Sequence, residues 1–167
     1  DSFAYLPVQD FGNAFSTFAA QNYGAGKNER VREGFRKATA ISAAFSAFVS
    51  LIVCVFAGPL MRIFVSASEP DVIAEGIKYL RIEGSLYVGI GCLFLLYGFW
   101  RAVKKPGMSL VLTVVSLGTR VVLAYAVAGI LGTTGIWAAI PIGWALADIV
   151  GYGYYFIVRK NILPVNR

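Results

Sequence analysis

No histidine occurs in the 167 residues, and there are only two cysteines, Cys54 and Cys92. The first absence removes His-ligated metal sites and both Ser/His/Asp and Cys/His nucleophilic catalysis. The cysteines each stand in the middle of an apolar run, where they act as small buried hydrophobes rather than as a disulfide pair. Charge is scarce as well: 14% of the residues carry it, against about 25% in an ordinary soluble domain. Neither a low-complexity segment, a long-period repeat nor a secretory signal pattern is visible.

What remains is strongly apolar. Hydrophobic residues make up 57% of the chain, and the mean hydropathy is +0.67. Residues 42–57, 86–100, 108–131 and 135–158 are each almost free of charge. One such run can be a buried core helix, but four in one chain cannot all be central, so the pattern reads as an integral membrane bundle. The net charge of +6 is of the kind that nucleic-acid-binding domains carry, yet its distribution argues otherwise. Eleven of the fifteen Lys/Arg fall in three connections: residues 27–37, residues 101–105 and the tail after Val158. That alternation is what positive-inside topology requires. The surplus reads as orientation and as contact with anionic headgroups, making membrane lipids partners and excluding nucleic acid.

The expected fold is all-α, a polytopic transmembrane helix bundle of about five spans plus a short amphipathic interfacial helix. Spans are expected at roughly 3–22, 39–57, 79–103, 108–131 and 135–158, with the interfacial helix over 27–38. Gln21-Asn22-Tyr23-Gly24-Ala25-Gly26 reads as a turn, and Val31, Phe35 and Ala38 form the apolar stripe of the interfacial helix. Small residues Ala40, Ser42, Ala44, Ser46 and Ser50 invite a close helix approach before Gly58-Pro59 stops the second span. Ser66-Ala67-Ser68-Glu69-Pro70-Asp71 is a capping pattern for a helix starting near Pro70 or Asp71. Ala139, Gly143, Ala147 and Gly151 make a second packing seam, and Pro141 is expected to kink the helix that carries it. The chain begins with Asp1 and reads as part of a longer protein, with loop 23–38 and the C-terminus cytoplasmic.

Charges within spans cost about 2.5–3.5 kcal/mol each, so each needs a reason. Arg120 lies thirteen residues before Thr133 and Asp148 fifteen after it. An antiparallel hairpin brings the two to similar depth, either as a structural ion pair or as a charge pair lining a substrate or ion cavity. Asp10, Asn13 and Thr17 share one helical face, with Gln9 beside them. Such a carboxylate with amide and hydroxyl neighbours suits a coordinated ion or a proton taken up and released, or else a simply wetter helix end. Glu83 is expected near the outer mouth of its span, neutralised by Lys78 and Arg81. Gly24-Ala25-Gly26-Lys27 is not a phosphate loop: it follows a membrane helix and lacks both the glycine spacing and the Lys-Ser/Thr ending. Paired carboxylates, a Ser/Lys motif and an HExxH-like helix are also lacking, so the chain is not read as an enzyme.

The stretch Gln21-Asn22-Tyr23-Gly24-Ala25-Gly26-Lys27-Asn28-Glu29-Arg30, ahead of a basic helix, resembles the signature of the multidrug and toxic compound extrusion family. Tyr79-Leu80-Arg81-Ile82, the span closing at Arg101, Arg120-Val121-Val122-Leu123-Ala124-Tyr125 and Gly135-Ile136-Trp137-Ala138-Ala139-Ile140-Pro141 follow in the family's order. The resemblance covers nearly the whole chain. It implies that residues 1–167 are a partial C-terminal lobe, from its second helix onward, whose N-terminal lobe lies elsewhere in the protein. It further implies a multi-pass protein of a bacterial plasma membrane that expels cationic or amphipathic small molecules, with a sodium ion or proton as coupling ion and no other cofactor. Asp10, Gln9, Asn13, Thr17, Arg120 and Asp148 are then the substrate or ion cavity candidates, and Tyr5, Tyr87, Phe94 and Tyr97 the aromatics able to meet a flat cation. Two departures stand out: residues 88–93 lack the acidic residue that one branch carries there, and residues 101–106 replace a glycine-containing loop. A lipid-linked oligosaccharide flippase of the same superfamily, or a membrane structural subunit without transport, are the competing expectations.

Overall fold

Apolar residues at helical spacing build every element of the structure, a computed structural model describing residues 2–66 and 68–164, with side chains from residue 5 onward. The helices in chain order are α1 (Ser2–Gly24), α2 (Asn28–Val55), α3 (Ala57–Phe64), α4 (Pro70–Gly84), α5 (Tyr87–Ala102) and α6 (Pro106–Ile162). By length and composition α2 and α6 can cross a membrane, and the pair α4–α5, bent by 50°, makes a third if it is one span. The all-α, membrane-type bundle expected from composition is therefore present.

Several expected boundaries need correction. The interfacial helix over 27–38 is not a separate element: it is the first part of α2. The reason lies in one buried stripe, Val31, Phe35, Ala38, Ser42, Ser46 and Ser50, which runs straight across the expected junction. At about 1.5 Å per residue such a helix is about 42 Å long, enough for both hydrocarbon and headgroup layers. α2 ends before Phe56, and Pro59 falls instead in the first turn of α3, where a missing N–H has no helical partner to lose. The expected span 79–103 begins earlier and is interrupted at Ser85 and Leu86, after a Gly84-Ser85 pair of the kind that bends helices. Ser85 Oγ donates to Ile82 O at 2.9 Å, satisfying a carbonyl at that break. A helix does start at Pro70 as expected, although the capping pattern includes Ala67, which lies outside the described residues, as does Arg167 of the basic tail.

As a straight rod of 57 residues, α6 would run to about 85 Å, nearly three bilayer cores. It does not: Gly132 takes φ 57° and ψ −141°, a conformation reserved for glycine, and the chain doubles back there. Facing pairs give the register of the two arms, with Gly135 against Val127, Gly143 against Ser116 and Arg120, and Gly151 against Leu112. Gly135, Ala139, Gly143, Ala147 and Gly151 are all buried along this seam, confirming and extending the expected small-residue stripe. Pro141 sits inside the second arm without a non-helical residue beside it, so no break occurs there.

The middle of the bundle is α5. Its neighbour α1 comes so close that a Cβ on Gly12 would stand 2.9 Å from Phe94 O, and one on Gly98 would stand 2.5 Å from Gly12 O. On another side, Gly91 meets the buried serine stripe of α2, where a Cβ would collide with Ser46 Oγ. Ala40 and Ala44, expected in the same seam, are exposed instead, because they lie on the opposite side of α2. Near the C-terminal end of α5, Phe35, Phe99 and Tyr155 form an aromatic cluster with centroids 4.5 to 5.2 Å apart.

Two stability consequences follow for the full-length protein purified in detergent. Gly12→Val forces a branched side chain against the α5 backbone and should cost about 1–3 kcal/mol, lowering the midpoint of thermal unfolding followed by tryptophan fluorescence. Ser46→Ala removes a buried hydroxyl that has no hydrogen-bond partner, and the same measurement should show an unchanged or raised midpoint.

Candidate functional site

Two faces of α1 divide its chemistry. Val8, Phe15 and Ala19 are buried against the bundle. Asp10, Asn13 and Thr17 lie on the opposite face and are exposed, with Gln9 half-buried at the margin. The shared face expected from the i, i+3, i+7 spacing is thus present, and it points away from the core. Arg101 at the end of α5 reaches across to it: Nη2 donates to Asn13 Oδ1 at 3.0 Å, and Nε donates to Tyr97 O at 3.3 Å. Tyr97 in turn receives Thr113 Oγ1 on its hydroxyl at 3.3 Å, from the first arm of α6. A polar track therefore crosses three helices, from α1 over α5 to α6.

Aromatic rings border the track. Tyr5 stacks on Phe94 with centroids 6.2 Å apart, and Phe94 meets Tyr97 edge-on at 6.4 Å. These three are half-buried, whereas Tyr87 is only 2% exposed. Tyr87, expected among the rings able to meet a flat cation, is packed in the core instead.

Arg120 and Asp148 do not pair. Among the described residues the ion pairs are Lys37–Glu33 and Lys78–Glu75 only. The reversal falls at Gly132 rather than Thr133, so Arg120 is twelve residues before it and Asp148 sixteen after. That difference separates the two by about 6 Å along the hairpin. The Arg120 side chain lies instead over Gly143, within electrostatic reach of Tyr79. Asp148 packs beside Gly89, where a Cβ would stand 3.8 Å from its Oδ2, and its Oδ1 has no hydrogen-bond partner. Cys92, Tyr97 and Tyr152 lie within its electrostatic reach, which ties it to the polar track through Tyr97.

Glu83, expected near the outer mouth of its span with Lys78 and Arg81 to neutralise it, is buried at 7% exposure with Oε2 unpartnered. Lys78 is bound to Glu75 at 3.0 Å, and Arg81 is exposed, so neither neutralises it. The hydroxyl of Tyr79, one turn earlier, is its hydrogen-bonding neighbour. Arg101 was passed over, having been read only as part of a basic connection. Its signal was available in principle, since an arginine closing an apolar run can reach back along the helix. No group of three or more metal-ligating side chains occurs among the described residues.

The profile of the MatE family matches residues 1–126. Two relatives from Bacillus subtilis (strain 168) align over nearly the whole chain: a "Probable multidrug resistance protein YpnP" at 31% identity, covering 93% of this chain, and a "Probable multidrug resistance protein YoeA" at 27% identity, covering 96%. The chain spans 35% of the length of each. Among solved structures, the Vibrio cholerae MATE transporter VcmN in its bent form superimposes with a TM-score of 0.87 over 96% of this chain and 36% of that one, at 20% identity. At that identity the likeness speaks to the fold. With three quarters of the chain inside the family profile, the protein belongs to the MatE family.

Proposed function

We propose that this chain is the C-terminal lobe, from its second helix onward, of a secondary multidrug antiporter. The observation that carries this reading, beyond family membership, is the polar face of α1, which turns Asp10, Asn13 and Thr17 away from the lobe's own core. Polar side chains at membrane depth face protein or a water-filled cavity rather than lipid. A second lobe with the same need would enclose that face in a central cavity. Five crossings then arise from α1, α2, the bent α4–α5 pair and the two arms of α6, with α3 at the outer surface. The turn between α1 and α2, the first turns of α2 and the C-terminal end of α6 lie in the cytoplasm in this reading.

In this reading a cationic, amphipathic substrate meets Asp10 and Asn13 electrostatically and the rings of Tyr5, Phe94 and Tyr97 by stacking. Arg101 holds Asn13 and the Tyr97 carbonyl together, orienting the cavity wall. Asp148 is the coupling carboxylate of this lobe: a sodium ion or proton bound there supplies the contact that its Oδ1 lacks. Binding on the outer side favours a rocked state that releases substrate, and its loss on the inner side resets the lobes, as alternating access requires. Arg120, unpaired with Asp148, serves the hairpin by covering Gly143.

Ethidium efflux from proteoliposomes holding the full-length protein tests the proposal. An imposed inward sodium or proton gradient should drive it, and absence of efflux under both gradients would sink the antiport reading. Asp148→Asn should lower gradient-driven efflux by at least about fivefold, the low end of ordinary coupling free energies, while ethidium binding persists. Equal efflux in variant and wild type would return Asp148 to a structural role. In a double-mutant cycle on unfolding, Arg120→Ala and Asp148→Ala should add to within about 0.5 kcal/mol; a larger coupling term would restore the ion pair.

A further inference from the structure

Away from the polar track, a groove of about 680 Å³ opens between the start of α2 and the end of α6. Its rim carries three guanidinium groups, Arg32, Arg36 and Arg159, and none of them is in an ion pair among the described residues. Two are nonetheless held in place. Arg32 is hydrogen-bonded to the Tyr155 hydroxyl, and the Arg159 guanidinium sits 5.1 Å above the centroid of Phe156. The acidic residues on the rim are Glu29 and Glu33. Glu33 is already bound to Lys37 at 2.7 Å, which leaves the arginines in excess.

The rest of the lining is mostly apolar and aromatic, with Phe35, Tyr155, Phe156 and the small side chains of Ala40 and Ala43, while the hydroxyls of Thr39 and Tyr152 are hydrogen-bonded to each other at 3.4 Å. Further along the same two helices, apolar side chains such as Leu51 at 62% and Ile149 at 67% are exposed. A positive, fork-shaped rim above an apolar trough matches an occupant with an anionic head and a hydrocarbon tail. Guanidinium groups bind phosphate oxygens bidentately, and basic pockets between helices at the cytoplasmic side suit anionic lipid headgroups.

We propose that this groove is a binding site for one anionic phospholipid of the cytoplasmic leaflet, its phosphate held by Arg36 and Arg159 and its acyl chain lying over Ala40 and Ala43. The site rests on the membrane placement argued above but not on transport, so its test does not read efflux. Full-length protein is reconstituted in phosphatidylcholine vesicles containing a minority of phosphatidylglycerol, then extracted in mild detergent. Retained lipids are counted by native mass spectrometry.

Wild type should retain phosphatidylglycerol in preference to phosphatidylcholine, and excess inorganic phosphate should not displace it. Arg36→Gln and Arg159→Gln should each lower retention by about fivefold. Arg30→Gln and Lys160→Gln remove the same charge outside the groove lining and should leave it unchanged. Each variant is first shown to be monodisperse, and Arg36→Lys, which keeps charge but not the fork, should fall between wild type and Arg36→Gln. Equal losses in the two control variants would reduce the site to diffuse attraction and overturn it. So would displacement by inorganic phosphate, which would mark a free-anion site, or no preference in wild type, which would mark a groove covered by other parts of the protein.

Discussion

The close approach of α1 to α5 at Gly12 and Gly98 is the contact on which the rest of the bundle depends. In lipid no hydrophobic effect draws helices together, so association rests on van der Waals packing and on how near the backbones can come. With no Cβ on either glycine, the α5 carbonyl at Phe94 and the α1 carbonyl at Gly12 come within contact distance of the opposing helix. α5 can then be shared. The serine stripe of α2 takes its Gly91 side, and Gly89 faces Trp144 and Asp148 on the second arm of α6. Were α1 pushed outward, its polar face would shift away from Arg101, and the track through Tyr97 would lose its first link.

Tight packing has an electrostatic consequence. Hydroxyls of Ser42, Ser46 and Ser50 and carboxylate oxygens of Glu83 and Asp148 are enclosed without partners. For the serines the small side chain is what matters, since a larger apolar residue at Ser46 would meet Gly91. The carboxylate oxygens Glu83 Oε2 and Asp148 Oδ1 carry a larger desolvation cost than a hydroxyl does. Natural folds tolerate such groups mainly where an ion, a proton or a conformational change completes them, which is why the acid on the α6 seam carries the coupling role proposed here. The open groove at the other end of α2 shows the converse arrangement, with the guanidinium groups of Arg32, Arg36 and Arg159 at its rim outside any ion pair among the described residues.

Much of this was legible beforehand. The α1 face of Asp10, Asn13 and Thr17 follows from spacing alone, as do the seam from Ala139 to Gly151 and the helix start at Pro70. Errors gathered where long-range contact overrides local signal. The stripe from Val31 to Ser50 makes one helix of what charge had divided into two, because burial on α5 does not stop where the basic residues do. Glu83 and Tyr87, on either side of the break at Ser85 and Leu86, are both enclosed, a burial that spacing within one helix does not announce. Arg120 and Asp148 were paired by counting from the wrong residue of a turn, and four residues of slip suffice to separate two charges by a full helical turn.

By itself the sequence determined the apolar, membrane-type character, the helical class and the family signature, since each depends on composition or on spacing within one helix. Tertiary structure alone decided which polar atoms are enclosed, which arginines stay unpaired, and where Gly132 reverses the chain. Those outcomes depend on distances between helices far apart in sequence. Backbone approach sets such distances to within an ångström, and no periodicity encodes them.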